Sequence, residues 1–348
     1  MNSYKRASAS VFFAAAIGLI GDAALAQDAC PNRGQLDTIY CDADNDLVAD
    51  SPRDPARHRD PSTLIFAYSP TENPAVYKDV YEHIMAHLNQ CTGKRMAYFP
   101  VYSNSSQIEA MRSGRLHIAL YATGAVGFAV NLAGAVPIVA VGSERGVAGY
   151  RVYAVVKADS PYKTLADLKG KKVAHVSPSS NSGNLAPRVY FAENGLKTDE
   201  DYKPLMSGGH DKSLIGVWRG DYDMAPVASD IFDRMVARGD VPKDQVRVLW
   251  QSVLFPTSSY SISHDLKPEL QAKLKECFLS YKFSDAMKKE YAGEDRFLPM
   301  TYKDTWKSIR EVAERSGTPY NKTAYEAVQK RDAEAEAKRQ QAQPAQKN

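Results

Sequence analysis

Apolar residues in this chain fall into short runs separated by stretches of helical spacing, and the same order occurs twice. Leu64 to Tyr68 is a run of strand length closed by Ser69-Pro70 and a polar loop, after which Val76, Val80, Ile84 and Leu88 mark one helix face. Met96 to Val101 then leads into Ser103-Asn104-Ser105, a helix through Ile108 and Met111, a stop at Gly114, and a strand from Leu116 to Tyr121 that enters Thr123. The second copy begins with Val173 to Val176, Ser177-Pro178 and a helix around Leu185 to Ala192. It continues with Pro204 to Met206, Gly208-Gly209-His210, a helix through Leu214 and Val217, Gly220, and a strand from Asp223 to Val227 that enters Ser229. Matching positions lie about 106 to 108 residues apart. Alternating strands and helices predict α/β lobes, each a parallel βαβαβ unit with right-handed crossovers. Tyr150 to Val156 joins the copies and Val246 to Tyr260 leads back, and two crossings suit a hinge around a central cleft.

Composition narrows this picture only at its edges. The 348 residues are 44% hydrophobic and 24% charged, globular proportions that exclude a disordered or fibrous chain. With 44 basic and 41 acidic residues, the net charge of +3 is too small for an electrostatic nucleic-acid binder. At the N-terminus, Lys5-Arg6, the apolar run Val11 to Ile20 and Ala24-Leu25-Ala26 read as a signal peptide over residues 1–26, too short to span a bilayer. Cys30 lacks the preceding small apolar residues of a lipoprotein, so the expectation is a soluble, secreted protein. In an oxidising compartment its four cysteines allow two disulfides in three connectivities. Cys30 and Cys41 bracket a short loop and are the easier pair; Cys91 and Cys277 would pair only if their two predicted helices pack together.

The segments flanking the repeat differ from it. Residues 27–62 are rich in Asp, Pro and Arg without helix or strand period and read as an N-terminal extension. Within it Asp42, Asp44, Asp46 and Asp50 stand at relative positions 1, 3, 5 and 9, the spacing of a calcium loop, although Leu47 replaces the turn glycine and Arg53 the twelfth-position acid. A structural calcium and a solvated acidic linker are the two readings; no other cofactor is implied. Residues 322–348, dominated by Ala, Glu, Lys, Gln and Arg, read as a charged tail in a solvated or frayed helix. The expected division is therefore one lobe from 63–152 plus 253–321 and a second from 153–252.

Ligands of parallel sheets bind beyond the carboxyl ends of the strands, where loops enter helix N-termini. Those loops cover residues 69–75, 102–106 and 121–124 in the first lobe and 177–183, 207–211 and 227–230 in the second. Ser179-Ser180-Asn181-Ser182-Gly183 supplies hydroxyls and backbone donors at a helix start, which serve either as an anion site or as plain N-caps. Gly208-Gly209-His210-Asp211 adds glycines that permit close backbone approach and a histidine donor.

These motifs, with Pro187, Val217 to Asp223, Ala228-Ser229-Asp230, Gly149-Tyr150 and the stretch from Asp159 to Lys171, resemble the phosphonate, phosphite and phosphate substrate-binding proteins of ABC importers over roughly residues 62–315. The resemblance implies a type II periplasmic-binding-protein fold with an oxyanion in the cleft and an ABC permease as membrane partner. It further implies that Ser180, Asn181 and Ser182, with Gly183 and the helix amides, hold the anion, that His210 donates to it, and that Tyr150, Tyr121, Tyr102 and Thr123 supply walls or hydroxyls. Asp230 fits a position that family members use for a ligand ammonium, but Thr257-Ser258-Ser259 offers no second carboxylate, and Asn181 replaces the family's usual threonine. An aminoalkylphosphonate is therefore in doubt, with a smaller oxyanion or another ligand open. A monomer is expected.

Enzyme motifs are absent: no Gly-x-Ser-x-Gly, phosphate-binding Gly-x-x-x-x-Gly-Lys-Ser/Thr, Gly-x-Gly-x-x-Gly or His-Glu-x-x-His occurs. His83 and His87 are four apart on a predicted helix, and a metal there would lack a third ligand. A ligand sensor of the same fold is the remaining alternative.

Overall fold

In the computed structural model, which describes residues 30–342, the repeat becomes two α/β lobes. The predicted signal peptide lies outside the described residues. The first lobe opens with strand β1 (Thr63–Tyr68), helix α1 (Lys78–Thr92), β2 (Arg95–Tyr98), α2 (Asn104–Arg112), β3 (Ile118–Tyr121), α3 (Thr123–Ala133) and β4 (Ala135–Ser143). Short strands β5 (Gly146–Val147) and β6 (Gly149–Tyr150) lead to β7 (Val152–Lys157) in the second lobe. There β8 (Ala174–His175), α4 (Ala186–Glu193), β9 (Leu205–Met206), α5 (His210–Arg219), β10 (Met224–Ala228) and α6 (Ser229–Arg238) repeat the order, followed by β11 (Val246–Gln251). The chain returns through β12 (Phe255–Pro256) and β13 (Ser259–Ser263). It ends with α7 (Pro268–Ser280), α8 (Asp285–Glu290), β14 (Arg296–Pro299), α9 (Tyr302–Thr305), α10 (Lys307–Arg315) and α11 (Lys322–Ala342).

The sheets are mixed rather than wholly parallel. In the first, the order is β14-β4-β13-β3-β1-β2, with β1 parallel to β2 and β3 but β13 antiparallel to β3 and β4. In the second lobe β8 is parallel to β9, a parallel bridge from Val173 to Met224 ties it to β10, and β7 runs antiparallel between β10 and β11. The antiparallel members β7 and β13 are the segments that cross between lobes, so each crossing strand is built into the sheet it enters. Beside them, Phe255 of β12 pairs with Tyr150 of β6, which fixes Tyr150 at the crossing.

Both flanking segments are more firmly attached than their composition predicts. In the extension Leu36, Tyr40 and Ala49 are buried, Asp37 N donates to Asn131 O (2.7 Å), and Arg59 pairs with Asp265 (2.7 Å) while donating to Gly114 O (2.7 Å). The charged tail is a helix whose first turns belong to the first lobe. Tyr325 and Val328 are buried, Tyr325 Oη donates to Ser105 O (3.1 Å), and Ser105 Oγ donates to Asp332 Oδ2 (2.6 Å).

Both pairs of cysteines are joined, Cys30 to Cys41 and Cys91 to Cys277. Helices α1 and α7 pack through Ile84, Leu88, Leu274 and Phe278, and His87 Nε2 hydrogen-bonds Cys277 O (2.8 Å), which engages the histidine considered for a metal. The second bridge spans 186 residues of sequence, so it removes much freedom from the unfolded chain. Replacing Cys91 and Cys277 by serine is expected to lower unfolding stability by about 2–4 kcal/mol, read as a reduced guanidinium midpoint under non-reducing conditions. An unchanged midpoint would contradict this.

Candidate functional site

A cavity of about 90 Å³ lies between the lobes, and four helix starts converge on it. Ala122 and Thr123 bring the N-terminus of α3; Ser180, Asn181 and Ser182 bring the π-helical turn Asn181–Leu185 that runs into α4; His210 is the first residue of α5; and Ala228 and Asp230 belong to the start of α6. Each helix start directs backbone N–H groups and the positive end of its dipole toward one place. The sequence folds this way because each of these helices follows directly on a short strand or loop of the repeat.

Within the second lobe the side chains form a connected set. Ser180 Oγ accepts from Gly183 N (3.0 Å), which anchors the turn. Asn181 Nδ2 donates to Tyr150 Oη (2.8 Å), while Ser182 Oγ and His210 Nε2 share a hydrogen bond of 3.1 Å. His210 Nδ1 and Asn181 Oδ1 are buried without a hydrogen-bond partner among the described residues. Burial pushes the His210 imidazole down to about 4, with Asp230 opposing and Arg234 adding to the effect, so it is neutral at pH 7. Burial also pushes the Tyr150 hydroxyl up to about 12 despite hydrogen bonds from Thr123 and Asn181, so it keeps its proton.

Contacts across the cleft hold the two faces together. His210 N donates to Thr71 O (3.0 Å) and Asn104 Nδ2 donates to Ser179 Oγ (2.9 Å). Gly124, in the first turn of α3, sits so close to Ser179 O and Asn181 N that a Cβ there would strike the opposing backbone. A second set is ionic. Arg234 reaches Glu72 (3.5 Å) and Glu290 (3.3 Å) across the cleft and Asp230 on its own helix (3.2 Å), and its Nη2 donates to Tyr77 Oη (2.9 Å). Arg238 reaches Glu72 (2.7 Å) and Glu290 (3.4 Å). Glu72 also accepts a hydrogen bond from Tyr77 Oη.

Of the residues anticipated from sequence, Ser180, Asn181, Ser182, His210, Tyr150, Thr123 and Asp230 line the cavity together. Three do not. Tyr121 is fully buried in the first-lobe core, its Oη directed at Met111 Sδ (3.4 Å), because its neighbour Leu120 is the residue that faces the cavity. Tyr102 is 82% exposed on a separate surface groove, four residues past the end of β2. Gly183 is packed against Val176, and its amide is taken by Ser180. The paired glycines serve the turn more than a ligand: Gly208, at φ +86°, needs a left-handed backbone to enter α5. Ser69 and Thr71 lie in the predicted loop 69–75 without having been singled out, and sequence reasoning missed Tyr77 and above all Arg234. Its one signal was the four-residue spacing from Asp230.

In the extension, carboxylate oxygens of Asp42, Asp44 and Asp46 lie within 4.8 Å of one another. The loop's own amides use them: Asp46 N and Leu47 N donate to Asp42 (2.9 and 3.3 Å), and Ala43 N donates to Asp50 (2.8 Å), while Leu47 takes the left-handed turn position at φ 71°.

Comparison with known proteins gives a consistent result. A family model described as ABC transporter, phosphonate, periplasmic substrate-binding protein matches residues 66–305. The chain is 30% identical over 241 residues to the phosphate-import protein PhnD of Mycolicibacterium smegmatis, an alignment covering 66% of this chain and 75% of that one. Among solved structures, it superposes with a TM-score of 0.66 on a binding protein component of an ABC phosphonate transporter from Pseudomonas aeruginosa, at 22% identity over 81% of this chain and 99% of the other. PhnD1 from Prochlorococcus marinus, solved in complex with methylphosphonate, gives the same TM-score at 18% identity, over 74% of this chain and 99% of its own.

Proposed function

The chain belongs to the periplasmic substrate-binding proteins of phosphonate ABC transporters, and from that premise we propose that its cleft captures a small tetrahedral oxyanion of the phosphonate, phosphite or phosphate type for a membrane permease. The observation that carries this reading is the convergence of four helix N-termini on one small cavity. Fixed dipoles and amide donors favour negative charge and need no reorganisation when the ligand arrives. Ser180 and Ser182 hydroxyls and the protonated Tyr150 hydroxyl add donors, and charge-assisted hydrogen bonds of this kind are the strong ones.

Capture proceeds by closure of the lobes. Once Gly124 lies against Ser179 and Asn181, the anion is cut off from water and each hydrogen bond to it strengthens. The protein works as a binder and not as an enzyme in this reading, because the cavity groups are donors fixed in place and its relatives are named for binding and import. The cavity is completed within one chain, which supports a monomer. Two disulfides support an exported, periplasmic location, and no helix among the described residues is long and apolar enough to cross a membrane.

Isothermal titration of the purified protein with phosphate, phosphite, methylphosphonate and 2-aminoethylphosphonate tests the assignment. Submillimolar binding of at least one is expected, and binding of none would overturn it.

A further inference from the structure

Asp230 lines the cavity and belongs, with Glu72 and Glu290 outside the lining, to a carboxylate cluster whose charges are already answered by the protein. Asp230, Glu72 and Glu290 come from α6, from the loop after β1 and from α8, and three carboxylates so placed would by themselves form a site for a cation. Instead the Arg234 guanidinium, whose side chain is only 11% exposed, reaches all three, and Arg238 takes a second share of Glu72 and Glu290. Arg234 itself lines the cavity. Resting on the reading above, we propose that Arg234 is the specificity-determining residue of the cleft: it fills the cation position from within the protein and restricts the ligand to small oxyanions that carry no ammonium group.

The arrangement explains two features together. A buried guanidinium is not removed by deprotonation, so its charge is a permanent part of the wall. An incoming ammonium would find the carboxylates already paired with Arg234 and Arg238, so it would gain no partner there and would meet the guanidinium at short range with little water to screen it. Asp230 Oδ1 is buried without a hydrogen-bond partner among the described residues, and its companion oxygen accepts from Arg234 (3.2 Å). Beside a guanidinium, that oxygen suits a ligand hydroxyl such as P–OH better than a second cation.

Ethylphosphonate and aminomethylphosphonate differ by a methyl against an ammonium of nearly equal size, so their affinity ratio reports charge. Titration calorimetry on the full-length protein, with methylphosphonate as reference, is expected to show ethylphosphonate favoured by roughly 30-fold or more. The ratio should fall below roughly 5-fold in Arg234→Gln and persist in Arg234→Lys, an outcome a merely structural role would not produce. If Arg234→Gln does not fold, the double variant Glu72→Gln/Arg234→Gln removes one of the carboxylates that the lost charge answered and is read in the same way. Equal binding of the two ligands by the unaltered protein, or a ratio unchanged in Arg234→Gln, would overturn the proposal. Loss of both with methylphosphonate retained would also overturn it, since size would then be selecting. Failure of all three ligands would instead remove the oxyanion reading on which it rests.

Discussion

Replacing Ser180 and Ser182 together by alanine is expected to weaken oxyanion binding by at least about a hundredfold while the protein stays folded. Hydrogen bonds to a charged partner contribute about 1.5–3 kcal/mol each, and 1.4 kcal/mol is a factor of ten in affinity. Two such donors therefore account for roughly two to four decades. The structural cost is smaller. Ser180 Oγ caps Gly183 N (3.0 Å), and loss of an N-cap is worth about 1 kcal/mol. Removal of the Ser182 hydroxyl leaves His210 Nε2 without its 3.1 Å partner, a further loss of order 1–3 kcal/mol at a buried group. Calorimetry of the double variant, checked by circular dichroism and thermal unfolding, separates binding from folding. An affinity within threefold of the parent, with the fold intact, would exclude these serines as ligands to the anion.

What could be read in advance follows from which signals are periodic. The paired Ser69-Pro70 and Ser177-Pro178 turns follow apolar runs in both copies, and such runs with helical spacing after them left little choice but two α/β lobes. Direction was harder. Strand β7 is an apolar run like the parallel strands, and nothing in an apolar run reports whether its neighbour is parallel or antiparallel. The same loss of contrast hid Tyr121: all four residues of β3 are buried, so no alternation tells which of Leu120 and Tyr121 faces the cavity. Arg234 was hidden for another reason. An Asp-Arg pair four apart on a helix is the ordinary pattern of a solvated face, and only the loop after β1 and helix α8, remote in sequence, make it a buried one. In the tail, Tyr325 and Val328 are two apolar positions in a charged helix, too few to mark a buried stripe by periodicity.

Lowering the pH from 7 to 4 is expected to destabilise the protein by several kcal/mol through histidines that the fold keeps neutral. His175 and His210 are both buried, and burial pushes each down from 6.5 to about 4. His175 is held between Asn184 Oδ1 (2.9 Å) and Tyr202 Oη (2.8 Å), with Arg188 disfavouring its charge and Asp199 favouring it. Between pH 6.5 and 4 the unfolded chain binds protons at these positions that the native state refuses, so stability falls as the pH drops through that window and is fully present above it. At 1.36 kcal/mol per decade of proton affinity, each contributes at most about 3 kcal/mol. His117, pushed down to about 4 by burial with Arg59 adding to the effect, has the same sign, as does His264. Four carboxylates raised by burial, Asp42, Asp46, Asp233 and Glu290, act in the opposite sense but are displaced less than the two histidines. Guanidinium unfolding between pH 7 and 4 should therefore show a steadily falling stability, with net uptake of about two protons or more on unfolding near pH 5. Changing His175 to glutamine, which keeps hydrogen-bonding capacity without the titration, should flatten that slope by about one proton. A stability independent of pH across this range, or a slope unaltered in the glutamine variant, would mean that these imidazoles are charged in the native protein.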